Sequence, residues 1–165
     1  MKSDWDSFPL VDKLSVEHEI RVRFAETDQA QVVYHANYFS WFQESRDACF
    51  RELFTRAQER NKGYVWSDWT LEMVKLGSLD AIDYRFFVID VACRYIAPAK
   101  LGDRISILVT PCRSTVAKLV FRFAARNSES GASVAEAYTA SAIVDPAGKM
   151  LLNMPPDFRE IFHVA

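Results

Sequence analysis

Glycine is scarce in this chain, five in 165 residues. None of the five builds a Gly-rich phosphate loop, so a dinucleotide-binding fold is excluded. A serine nucleophile elbow is absent as well. Cysteine is sparse and odd in number: Cys49, Cys93 and Cys112 lie far apart, with neither zinc-site spacing nor a disulfide framework. They read as buried free thiols in a reducing compartment. No metal-ligand spacing occurs elsewhere, and neither a metal nor a cofactor is expected. Nor does one sign of charge dominate. Lys and Arg number 20 against 22 Asp and Glu, a formal net charge of −2, with the signs mixed along the chain. That speaks against nucleic acid as the partner, because phosphate-backbone binding wants a concentrated basic patch. No apolar run approaches a membrane span, and Met1-Lys2-Ser3-Asp4-Trp5-Asp6 lacks the apolar stretch of a signal peptide. A cytoplasmic protein is expected.

What is present is enough for a core. Half the residues are hydrophobic and 13% are aromatic, in a length typical of one domain. Residues 1–17 are weakly patterned and read as an N-terminal arm; 18–165 read as a single domain. Ile20, Val22 and Phe24 alternate with Arg21 and Arg23, the period-two signature of a half-buried strand. From about Ala36 to Gln58 the period becomes helical, with Tyr38, Phe42, Cys49 and Leu53 on one arc. Phe39 and Phe50 widen that arc, while Ser40, Gln43, Glu44, Asp47 and Arg51 lie opposite. Arg46 falls inside the apolar arc, where a charge needs a partner or a water-filled opening.

Asn61-Lys62-Gly63 stops the helix, and residues 64–82 have room for a short helix. Strands follow in quick succession. Phe87, Ile89, Val91, Cys93 and Tyr95 read as one face of a long strand, then come Ile105 to Val109, Ala117 to Ala125 and Ser133 to Val144, and a terminal helix from Pro156 to Phe162. One strand, a long helix and a four-strand meander make an α+β layout with a five-stranded antiparallel sheet around one helix.

The segment Glu26-Thr27-Asp28-Gln29-Ala30-Gln31-Val32-Val33-Tyr34-His35 places an acid and an imidazole seven residues apart where a strand gives way to the helix. A carboxylate beside the unpaired amides of a helix start is the minimum equipment for attacking a carbonyl. The same residues also suit plainer roles: Asp28 as a turn aspartate or helix cap, His35 as a structural imidazole, Tyr34, Tyr38, Trp41 and Phe42 as core. Arg113, Ser114 and Lys118 around one turn suit either a solvated face or a phosphate contact.

The stretch from Ile20 to Arg51 resembles the hotdog-fold acyl-CoA thioesterases of the 4-hydroxybenzoyl-CoA thioesterase type, and within them the Tol–Pal-linked group. The likeness rests on Glu26-Thr27-Asp28, on Val32-Val33-Tyr34-His35-Ala36-Asn37-Tyr38, and on Phe42 and Arg46 in the helix. A second block, Arg94-Tyr95-Ile96-Ala97-Pro98-Ala99-Lys100-Leu101-Gly102-Asp103, matches in order. The resemblance implies a hotdog fold assembled as dimers with a continuous sheet, often paired into tetramers, with sites between subunits. It implies acyl-CoA hydrolysis, with Asp28 as nucleophile or general base, an oxyanion amide near Tyr34 and His35, and His35 orienting or transferring a proton. Tyr34, Asn37, Tyr38, Arg46, Trp66, Trp69, Arg113, Ser114 and Lys118 are the substrate-binding candidates; Trp66 and Trp69 suit an acyl pocket or a packed cap. Alternatives are an acyl-carrier-protein thioesterase, a hotdog dehydratase or hydratase, and a non-catalytic acyl-CoA-binding protein. The sequence departs from the family pattern at Gln31, where a glycine is frequent three residues after the acid. Segment 64–82 is also longer than usual.

Overall fold

The structure is a computed structural model that describes residues 8–60, 64–66, 72–75, 82–83, 85–114, 116–145 and 147–162. The main sheet has five strands: β1 (Val16–Arg21), β5 (Arg85–Tyr95), β6 (Arg104–Cys112), β7 (Lys118–Asn127) and β8 (Ser133–Val144). Their order is β1-β6-β7-β8-β5, and every pairing is antiparallel. The strand alternation decides what faces inward. Ile105, Ile107 and Val109 of β6 and Leu119, Phe121, Phe123 and Ala125 of β7 are all buried, as their period-two spacing requires.

Against that face lies α1 (Asn37–Arg60). Its buried side chains, Tyr38, Trp41, Phe42, Ser45, Cys49, Phe50 and Leu53, recur at three- and four-residue steps along one stripe. Phe42 packs on Phe123 with ring centroids 4.9 Å apart, and Phe50 meets Phe121 edge-on at 5.1 Å. The terminal helix α2 (Pro156–Phe162) closes the same core through Phe158 and Phe162. No described helix is long and apolar enough to cross a membrane. Burial holds the three free thiols in their neutral form, pushing Cys49 up to about 12 and both Cys93 and Cys112 up to about 11.

Three expectations are corrected. The strand expected to run on to Phe24 ends at Arg21, and Phe24, 79% exposed, opens the 3₁₀ turn Phe24–Glu26. That turn redirects the chain toward α1. Within 64–82 the described residues are extended, not helical: β2 (Tyr64–Trp66), β3 (Glu72–Lys75) and β4 (Ile82–Asp83) pair in that order as a second antiparallel sheet. The face assigned to the long strand also breaks, because β5 carries a bulge between Val88 and Asp90. One extra residue reverses the alternation. Downstream, Val91, Cys93 and Tyr95 pair with Thr139, Ala137 and Ala135 on the side facing α1, whereas upstream Phe87 pairs with Ala142 on the opposite side.

Candidate active site

The loop between β1 and α1 is held in shape by Glu26. Its carboxylate accepts from the Arg23 amide (2.7 Å) and from Nε1 of buried Trp41 (2.9 Å). Its carbonyl accepts from the Tyr34 amide (2.9 Å) and the Asn37 side-chain amide (2.8 Å). One residue thus ties the loop's beginning, its end and the helix start together. Between these anchors the chain turns back on itself: the Asp28 amide donates to the Val32 carbonyl (2.9 Å), the Gln31 amide to the Asp28 carbonyl (2.9 Å), and the Ala30 amide to Asp28 Oδ1 (2.8 Å).

Closing so tight a turn requires a left-handed residue, and that residue is Gln31, at φ 61°. The backbone path expected of a glycine is therefore followed by glutamine, whose Cβ makes this conformation costly. Replacing Gln31 by Gly should leave the path unchanged and raise stability by up to about 1 kcal/mol, read as a rightward shift of the urea midpoint. A lower midpoint would contradict this account of the turn.

The turn projects Asp28 into an open cleft of about 380 Å³. The loop supplies Asp28, Val32, Val33 and His35, α1 supplies Tyr38, and the end of β5 supplies Tyr95 with Ile96, Ala97 and Pro98. Asp28 Oδ1 is occupied by Ala30, and Oδ2 has no partner among the described residues. The cleft's far wall is tied to the helix start by Tyr95, whose hydroxyl donates to the His35 carbonyl (2.9 Å). Burial of that phenol, reinforced by Cys93 and Tyr38, pushes it up to about 12, so it stays a donor. Tyr38 accepts from the Ala99 amide (3.3 Å), and burial raises its phenol too.

The helix start itself is left open. Ala36 precedes the first residue of α1, offers no side-chain oxygen, and is followed by a first turn without an acid. The amides of His35 and Ala36 have no hydrogen-bond partner among the described residues. The amide of Tyr34 is consumed by Glu26, which narrows the expected oxyanion position to its two successors. Free amides at a positive helix terminus suit an anionic oxygen.

Of the candidates read from the sequence, Asp28, His35 and Tyr38 share the cleft. Tyr34 lies against His35 with its ring tilted by 54° (centroids 4.3 Å apart) and is half exposed. Asn37 braces Glu26. Arg46 is mostly buried on α1, with Asp47 at 3.8 Å, and burial lowers its pKa while Asp47 raises it. Trp66 ends β2, and Trp69 lies outside the described residues. Arg113 and Ser114 follow the C-terminal end of β6, and Lys118 opens β7. The loop at Lys100 to Asp103 that borders the cleft precedes β6, so the nine-residue strand, about 30 Å at 3.3 Å per residue, separates these three from Asp28 within one chain. Tyr95 was visible in the second sequence block but carried no assigned role; its T-shaped contact with Tyr38 (5.2 Å) makes it a wall of the site.

Known proteins share this fold. The profile of the thioesterase-like superfamily matches residues 22–162. YneP of Bacillus subtilis (strain 168), provisionally named an acyl-CoA thioesterase, is 36% identical over 85 residues, 52% of this chain. The match spans about half of that protein's length (48%). Among solved structures, Synechocystis Slr0204, a 1,4-dihydroxy-2-naphthoyl-CoA thioesterase, superposes with TM-score 0.67 at 17% identity, covering 91% of this chain and 96% of that one. The DHNA-CoA thioesterase of Staphylococcus aureus does so with TM-score 0.67 at 20% identity, covering 90% and 89%. The hotdog architecture expected from the sequence is the observed one.

Proposed function

We propose that this chain, which belongs to the thioesterase-like superfamily, hydrolyses acyl-CoA thioesters to a free acid and CoA. The observation that carries the reading is one cleft lined by Asp28, whose Oδ2 has no partner among the described residues, and by His35, whose amide and that of adjoining Ala36 likewise have none among them. The thioester carbonyl oxygen would sit on those amides, where the charge that develops on it is stabilised by fixed dipoles; one such donor is typically worth roughly 3 kcal/mol.

Two routes start from this arrangement. As general base, Asp28 takes a proton from water as the water oxygen bonds to the carbonyl carbon; the C–S bond then breaks and the proton leaves on the CoA thiol. As nucleophile, Oδ2 itself bonds to that carbon, CoA departs, and water cleaves the resulting anhydride. Both give the same products. His35, against Tyr34 at the cleft wall, would orient water or relay the proton. Gln31, the departure from the family pattern, follows the left-handed path a glycine would take, which supports an undistorted loop around Asp28.

The working unit we infer is a homodimer, or a tetramer formed by two such dimers. Strand β5 is an edge of the main sheet and exposes Phe87 and Ile89. Such an edge invites a second copy, and pairing there would also bring another chain toward the cleft's β5 wall. The test is a panel of acyl-CoAs with a thiol reagent. We expect free CoA release that rises linearly with protein concentration; binding of acyl-CoA with no thiol release would sink the enzyme reading.

A further inference from the structure

Two buried side-chain polar atoms among the described residues lack any hydrogen-bond partner: Arg46 Nε and Thr139 Oγ1. They belong to different elements, α1 and β8, whose inward side chains pack into one core. Phe42 packs on Phe123, which pairs with Ala137; Phe50 packs on Phe121, which pairs with Thr139. Arg46 sits midway between Phe42 and Phe50, one helical turn from each and on the same side of α1. It therefore lies over the part of β7 between Phe121 and Phe123, one strand from the stretch of β8 that runs from Ala137 to Thr139.

Thr139 is 93% buried by its 7% exposure, among small inward residues of β8: Ala135, Ala137 and Ser141. Beside it, the α1-facing side of β5 is open. Val91 pairs with Thr139 and Val88 with Ser141, yet they are 44% and 51% exposed, one on each side of the bulge. The same row of small residues begins at Ala135, which pairs with Tyr95 in the cleft wall. From that pair to Val91–Thr139 is four residues, about 13 Å at 3.3 Å per residue. A buried donor and a buried hydroxyl without hydrogen-bond partners are expensive in an apolar layer, and the Asp47 carboxylate, 3.8 Å from Arg46 Nε, is beyond hydrogen-bonding distance. Arg46 Nε–H needs an acceptor, and Thr139 Oγ1 takes either a donor or an acceptor.

We propose that Arg46 and Thr139 receive an oxygen at the far end of the substrate's acyl group, selecting medium-length acyl chains that end in a hydroxyl or a carboxylate. This rests on the thioesterase reading and adds to it the acyl class. The distance from the cleft exceeds the reach of a single benzoyl ring and suits a straight chain. The far oxygen accepts from Arg46 Nε–H and exchanges a hydrogen bond with Thr139, while the small residues of β8 make room for the methylenes.

The test compares octanoyl-CoA, 8-hydroxyoctanoyl-CoA and the CoA half-thioester of octanedioic acid. We expect kcat/KM about 10- to 100-fold higher for at least one oxygenated chain than for octanoyl-CoA, the range of a hydrogen bond to a charged group. In Thr139→Val and in Arg46→Met that ratio should fall toward one. The hydroxyl and carboxylate arms tell which end group the pair prefers. Calorimetric binding of the same three compounds to each variant runs in parallel. If octanoyl-CoA is hydrolysed but neither oxygenated chain is favoured, or the preference survives Thr139→Val, the proposal is overturned and the thioesterase reading stands. If nothing is hydrolysed yet 8-hydroxyoctanoyl-CoA binds more tightly than octanoyl-CoA and Thr139→Val removes the difference, the site stands and the enzyme reading falls. No difference in rate or binding, with only a bound water satisfying the pair, overturns the proposal.

Discussion

Asp28→Asn is expected to lower kcat on the best acyl-CoA by about 10²- to 10⁴-fold, the usual contribution of a positioned general base, while KM changes little. The substitution is informative because it is nearly silent for the fold. Asparagine retains an oxygen able to accept the Ala30 amide that now donates to Oδ1 at 2.8 Å, so the turn and the left-handed Gln31 behind it should persist. What disappears is the negative, proton-accepting second oxygen. Steady-state kinetics with free-thiol detection, alongside the thermal unfolding midpoint, separates the two consequences. Full activity in Asp28→Asn would move the chemistry away from this carboxylate even if the protein hydrolyses thioesters.

The largest loss of stability is expected from Phe42→Ala, about 3–5 kcal/mol by urea unfolding. Phe42 is completely buried and stacked on Phe123 at 4.9 Å, at the centre of the contact between α1 and the sheet. Removing the ring subtracts its burial and leaves a void that the surrounding strands, already paired on both sides at β7, cannot collapse into. Because α1 also presents its N-terminal amides to the cleft, activity should fall at temperatures well below that at which the wild type unfolds. A change under 1 kcal/mol would mean the helix packs differently.

Elements with long, regular alternation were readable from the chain alone. β6 and β7 alternate inward apolar residues from Ile105 to Val109 and from Leu119 to Ala125, and α1 keeps one apolar stripe from Tyr38 to Leu53, about four turns. The terminal helix over Pro156–Phe162 was also foreseen. Residues 64–82 were not, because strands of three, four and two residues are too short to display a period, and their pairing is decided by neighbours rather than by local preference. Phe24 had the right spacing for a strand but lies past the point where Glu26 gathers the loop. For the site, Asp28, His35 and Tyr38 were legible because they are close in sequence. Tyr95 and Thr139 were not assigned because their relevance comes from pairing across the sheet. The one local trace of Thr139 is a polar residue at an inward position of an otherwise alanine-rich strand.

The bulge in β5 acts on side chains as a reading frame acts on codons. Upstream of it Phe87 points away from α1; downstream, Val91, Cys93 and Tyr95 point toward it. Deleting the extra residue, Ile89, would only abolish the bulge and keep every pairing from Val88–Ser141 to Tyr95–Ala135, whereas deleting one residue between Val91 and Tyr95 would turn the remaining end of the strand inside out while leaving its composition and its strand propensity almost untouched. Tyr95 would then face outward and release the His35 carbonyl it now holds at 2.9 Å. The position of a helix terminus is thus encoded some 60 residues away in the sequence, as a count rather than as a particular amino acid. Drift of this protein by substitution and drift by insertion or deletion are therefore under different constraints along that strand.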